Sequence, residues 1–205
     1  MTELKGSHAD ESSSDEAAAL ATSLAAMQAK APRSRAEWVK RLQAVAQVLP
    51  VCVVISDMKA PDEPLCFVND FFCKMTGYDR DEIIGKNCRF LQGDDRGQEA
   101  VSRAREAIKA RRPINVTFHN FRKSGEPFMN LLCMKPIFDA EGDCQFYLGV
   151  QYPVTSTSMQ SFRLAHHARM LELLPSKMRL THEDSVSGST GLRSSQGGAG
   201  SADKA

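Results

Sequence analysis

INVTFHNFRK (114–123), PFMNLLCMKPIF (127–138) and CQFYLGVQYPV (144–154) follow one another with only SGE and DAEGD between them. The runs are rich in β-branched and aromatic residues, and each connector holds a Gly of the kind tight turns use. Three strands in a meander are therefore expected. Upstream, VCVVIS (51–56) and LCFVN (65–69) read as two more strands on either side of the turn-rich DMKAPDEP. Between the two sets lie FFCKMTGY, DRDEIIG and KNCRFLQG, three short helical pieces. A longer amphipathic helix follows, EAVSRAREAIKARR (99–112), with Val101, Ala104 and Ile108 on one face. Basic residues crowd its end, where the helix dipole favours them. Two strands, several helices and three strands predict an α+β domain with one five-stranded antiparallel sheet and helical segments on one face.

Working outward, RAEWVKRLQAVAQVL (35–49) has helical spacing, with Trp38, Leu42, Val45 and Leu49 on one stripe. Ser34 and Glu37 fit a capping box, and Pro50 stops the helix. Such a helix either covers its own domain or presents Trp38 to a partner. A second helix is expected over 158–174, with Phe162, Ala165, Met170 and Leu174 on its apolar side. Arg163, His166, His167 and Arg169 make the other side basic, and Pro175 ends it. Every aromatic residue falls between Trp38 and Phe162 and every cysteine between Cys52 and Cys144. Large apolar side chains supply most of a core's burial energy, so the folded unit lies within them. The expected organisation is an acidic and Ala-rich disordered tail (1–33) and a flanking helix (34–50). Next come the domain (51–154), a second flanking helix (155–176) and a disordered Ser/Gly-rich tail (177–205).

Charge and composition narrow the function. Lys plus Arg is 26 against 25 for Asp plus Glu, which gives no footprint for direct nucleic-acid binding. No apolar run is long enough to cross a membrane. Residues 17–31 imitate a secretion signal, but Asp10, Glu11, Asp15 and Glu16 stand where positive charge is needed. A cytoplasmic chain with reduced thiols is expected. No Cys-x-x-Cys, metal-ligating cluster, phosphate-cradling Gly loop or G-x-S-x-G elbow occurs. His166 and His167 read as a helix surface.

The stretch GKNCRFLQG (85–93) resembles the flavin-binding signature of light-oxygen-voltage (LOV) domains, a photosensory branch of the PAS superfamily. VND (68–70), TGY (76–78), HNFRKSG (119–125), MNLL (129–132) and GVQ (149–151) match in order. The resemblance covers about 51–152 and implies the PAS fold, in agreement with the strand and helix order. It also implies bound flavin mononucleotide (FMN). Cys88 would be the photoreactive thiol, whose sulfur bonds reversibly to flavin carbon 4a after blue light while nitrogen 5 gains a proton. The other cysteines read as small buried hydrophobes.

The same resemblance assigns the surrounding residues. Asn120, Asn130, Gln92 and Gln151 bind the polar edge of the ring, since amides both donate and accept. Asn87 contacts the ribityl chain, and Asn69 is a weaker match. Arg89 and Arg105 bind the phosphate, which forked guanidinium donors suit. Val54, Ser56, Leu91, Ile108, Leu132, Met134, Tyr147 and Gly149 match positions around the ring and its chain. Gln151 is the switch residue: its amide turns over when nitrogen 5 is protonated and alters the packing of the terminal helices. Met129, Phe121 and Tyr147 depart from the family's usual Trp, Tyr and Phe. The resemblance implies a sensor without substrate turnover, acting through a homodimer of terminal helices or an unknown downstream protein. Two other readings stand beside it: a flavin-bound redox or ligand sensor, and a flavinless PAS-like interaction module.

Overall fold

Alternation along a strand sorts side chains onto two faces of a sheet. The computed structural model describes residues 21, 22, 25, 32–154, 169, 171, 172 and 174–180. In chain order the elements are α1 (Arg35–Val48), β1 (Cys52–Asp57), β2 (Leu65–Val68), α2 (Asp70–Thr76) and α3 (Arg80–Ile83). A 3-10 helix (Cys88–Gln92), α4 (Glu99–Lys109), β3 (Ile114–Phe121), β4 (Pro127–Phe138) and β5 (Cys144–Pro153) follow. The strands form one antiparallel sheet in the order β2-β1-β5-β4-β3, with Cys52 opposite Gln151. This is the predicted α+β architecture.

The outer face carries Val53, Ile55, Leu131, Cys133, Ile137, Phe146, Leu148 and Val150, and α1 lies across it. Trp38 is 3% exposed and stacks on Phe146 with ring centroids 5.9 Å apart. The Arg35 guanidinium sits 4.3 Å from the centre of the same ring. Helix α1 therefore covers its own domain, and Trp38 is not offered to a partner. Its cap differs from the expected box in one bond. Ser34 Oγ accepts the Glu37 N–H at 3.2 Å, but the Glu37 carboxylate takes the Arg33 N–H at 2.9 Å.

Residues 1–20, all of 155–168 and 181–205 lie outside the described residues, including Phe162, Arg163, Ala165, His166 and His167, as does Met170. Arg169, Leu171 and Glu172 are helical, and Leu171, Leu174 and Met178 join the outer cluster. The packing thus runs past residue 176, into the stretch expected to be a tail. The β4–β5 register shifts between Ile137 and Phe138, and on its other side, where β3 no longer reaches, Phe138 bridges to Lys177. The Phe138 N–H donates to Ser176 O at 3.1 Å, and the Met178 N–H donates to Phe138 O at 2.6 Å. Lys135 Nζ donates to Leu174 O at 2.6 Å and to Ser176 Oγ at 3.2 Å. Burial holds this amine below the usual lysine range.

Candidate functional site

Cys88 opens the 3-10 helix behind Asn87, its N-cap. Asn87 Oδ1 accepts the Arg89 N–H at 3.0 Å, and Nδ2 donates to Asp62 O at 2.7 Å. Both bonds fix the turn that presents the thiol. The thiol faces a cavity of about 820 Å³ between the inner face of the sheet, α4 and the 3-10 segment.

Most of the residues anticipated from the sequence meet at this cavity. Val54 and Ser56 come from β1, Asn120 from β3, and Asn130, Leu132 and Met134 from β4. Tyr147, Gly149 and Gln151 come from β5, and Arg105 and Ile108 from α4. Asn87, Cys88, Arg89 and Gln92 complete the wall. A Cβ on Gly149 would stand 2.9 Å from Val54 Cγ2 and 3.1 Å from Leu132 Cδ1, so only glycine fits there without displacement. Tyr147 ties β5 to the end of α4, its hydroxyl donating to Ala107 O at 3.3 Å or Arg112 O at 3.2 Å. Burial raises that phenol above its ordinary range.

Two anticipated residues lie elsewhere. Asn69 is fully buried as the N-cap of α2. Its Oδ1 accepts from Val53 N at 2.9 Å and Phe72 N at 3.2 Å. Its Nδ2 donates to Ala46 O at 3.2 Å and Val51 O at 2.7 Å. With both ends of the amide engaged by backbone, it joins α1, β1 and α2 and contributes no wall to the cavity. Leu91 packs into the neighbouring apolar cluster with Val54, Leu65, Val68, Phe72 and Ile83. Other lining residues were missed. Phe118 shares the face of Asn120 by strand parity, and Val101 and Ala104 are the stripe of α4. Lys59, Arg96, Lys109 and Arg111 at the mouth have no comparable signal.

The inner wall is polar where it is driest. Asn120, Asn130 and Gln151 are each at most 3% exposed. Asn130 Nδ2 donates to Asn120 Oδ1 at 2.9 Å and to Gln151 Oε1 at 2.6 Å. Asn130 Oδ1 and Gln151 Nε2 are buried without a protein partner among the described residues. Each such atom costs about 1–3 kcal/mol, so this wall suits a ligand that offers it one acceptor and one donor. Burial pushes the Cys88 thiol up to about 12, against a smaller opposite pull from the Gln151 amide. Cations gather at the mouth. Arg89 pairs with Asp62 at 2.7 Å, and Lys59 with Asp143 at 2.9 Å.

A family model described as PAS domain matches residues 50–156. The Rhodobacter sphaeroides LOV protein is 31% identical with a TM-score of 0.62, covering 67% of this chain and 81% of that one. This chain is a LOV-branch PAS protein. The Listeria innocua blue-light photoreceptor is 43% identical over 106 residues, 52% of this chain and 42% of that protein. Phototropin-2 of Oryza sativa subsp. japonica is 45% identical over 98 residues, 48% of this chain. The match spans only 11% of the phototropin. The LOV cavity here also passes a test of fit for a flavin. Its unpartnered amide atoms suit a ring edge that both donates and accepts, its walls are apolar at Val54, Leu132 and Ile108, and its mouth is cationic.

Proposed function

We propose that this LOV chain is a blue-light photoreceptor that binds FMN in the cavity and forms a reversible thiol adduct at Cys88. The observation that carries the reading is the meeting of Cys88 with Asn120, Asn130 and Gln151 around one cavity. When bound, the flavin supplies absorption of blue light and, once excited, a ring carbon open to a sulfur nucleophile. The chain's own residues set the conditions. Cys88 waits as a neutral thiol, because burial disfavours the thiolate. It therefore carries its own proton into the reaction. Asn120, Asn130 and Gln92 hold the polar edge, and Arg105 and Arg89 face the phosphate. Gln151, whose Nε2 has no protein partner among the described residues, turns when the proton moves.

Gln151 lies beside Val150, which packs under α1 on the other face. Its turning reaches the flanks through β5, so the output runs through the packing of α1 and the 155–176 segment. Trp38 is buried within this chain, so a dimer through the Trp38 face of α1 requires α1 to leave the sheet. The sensor core is 51–154, it turns over no substrate, and its downstream partner is a protein.

The test is an absorption spectrum of the full chain with FMN, before and after blue light and then in the dark. A structured blue band should bleach and return, and Cys88→Ala should hold flavin without bleaching. Gln151→Leu should bleach yet lose the light-dependent change in protease protection of α1. A flavin band that never bleaches would favour a redox sensor. No flavin uptake at all would leave a PAS-type interaction module.

A further inference from the structure

The polar chain of the cavity does not end at Asn120. Asn120 Nδ2 donates to the His119 carbonyl at 3.0 Å, and that carbonyl leads out of the site to Gln98. β3 is an edge strand, so its outward N–H and C=O groups have no strand beside them. At His119 one side chain takes both. The His119 N–H donates to Gln98 Oε1 at 2.7 Å, and Gln98 Nε2 donates back to His119 O at 2.8 Å. The carboxamide stands in for one peptide group of an absent neighbour.

Further contacts join the same point. Gln98 Nε2 also donates to Asp95 O at 2.7 Å. The Asp95 carboxylate lies 3.1 Å from His119 Nδ1. His119 meets Phe121 edge-on at 5.1 Å. That Phe121 ring lies 3.0 Å from where a Cβ on Gly93 would be, and Gly93 has φ +54°. Residues 93–98 are thus fastened to β3 directly after the turn that carries Cys88 and Gln92.

Direction is set there as well. A carbonyl only accepts, so Asn120 must turn Nδ2 outward to His119 and Oδ1 inward. Asn130 then meets that oxygen with Nδ2, and the same Nδ2 meets Gln151 Oε1. The unpartnered Asn130 Oδ1 and Gln151 Nε2 are the consequence of an orientation begun at the His119 carbonyl.

We propose that Gln98, with Asp95 and His119, is a positioning clasp. It holds the loop behind Cys88 on β3 and fixes the direction in which Asn120, Asn130 and Gln151 present their amides. The structural half stands by itself; the kinetic half rests on the photoreceptor reading. Dark reversal breaks the sulfur–carbon bond and returns one proton to the Cys88 sulfur, with no external oxidant or reductant. A loosened 93–98 loop admits water to carry that proton, so reversal quickens.

Two variants of the full chain test this, each with and without FMN. Gln98→Leu removes all three bonds. Gln98→Glu keeps the volume and the acceptor for the His119 N–H but removes both donations. Without flavin, hydrogen exchange of the His119 amide should be about tenfold faster in Gln98→Leu and slower than that in Gln98→Glu. With flavin, both variants should bleach fully and return at least about threefold faster than the parent. Parental exchange in both variants overturns the clasp. Faster exchange with parental return overturns the positioning role. A parent that never bleaches overturns the photoreceptor reading, while exchange still decides the clasp. Should Gln98→Leu fail to fold, Gln98→Glu decides by the same two measurements.

Discussion

The two faces of the sheet are built from the same strands and meet opposite demands. On the outer face Val53, Leu148 and Val150 are fully buried against Trp38, Leu42 and Val45 of α1. On the inner face the alternating partners are Val54, Gly149 and Gln151, around a cavity. The outer face is dry, apolar and close-packed. The inner face keeps three amides and two unpartnered polar atoms in the same degree of burial. Stability is concentrated on one side, which lets the other carry groups that a folded core would otherwise not tolerate.

The sharpest way to break this division is on the outer face. Trp38→Ala should destabilise the domain by about 3–5 kcal/mol, read as a lower urea midpoint. Flavin uptake per folded molecule should be unchanged. If uptake falls further than the folded fraction does, the faces are not separate. The next effect is on the inner face. Gly149→Ala places a Cβ against Val54 and Leu132 and should cost about 1–3 kcal/mol through overpacking. Here flavin affinity should drop with stability, because the strained atoms are the cavity wall. Titration calorimetry beside urea unfolding checks both.

The smallest effect at any one step of pH is a slope. Cys88 has its pKa raised from 9.0 to about 12 by burial. A group raised on folding contributes stability that is present below its unfolded pKa and lost as pH rises towards its folded one. In flavin-free protein the loss runs from about pH 9 to 12, at about 1.4 kcal/mol per pH unit for one proton. Cys88→Ala should make the alkaline fall in unfolding free energy shallower by about that amount. Bleaching of the parent should stay flat below pH 9. An unchanged slope would mean that the thiol is not held neutral by the fold.

Much of this was legible in the sequence, for stated physical reasons. Strand alternation and turn glycines located β4 with its observed ends, and the stripe of α4 put Val101 and Ala104 on one face without marking that face as a cavity wall. The amides were legible only through the family motif, since an Asn on a strand does not announce a ligand. What stayed hidden depends on long-range contacts. Asn69 belongs to the motif region, yet its four hydrogen bonds go to backbone on α1, β1, α2 and the connector at Val51. Glu37 reached Arg33 rather than Ser34, a difference of one peptide group. Trp38 had two readings that only the position of Phe146 could separate. Gln98 met no local pattern, because it precedes α4 while its partner His119 lies on β3.

The adjacency of β1 and β5 has a consequence in time. Cys52 pairs with Gln151, so the centre of the sheet joins strands from opposite ends of the domain. Loop closure of that length comes late, and topologies rich in such pairings fold slowly. During synthesis β1 and β2 emerge as a hairpin, with the seam between β1 and β4 still unfilled. The cavity has no floor until β5 is inserted into that seam. Gln151 is among the last residues to reach it, so in a newly made chain the site is complete only once the sheet is complete.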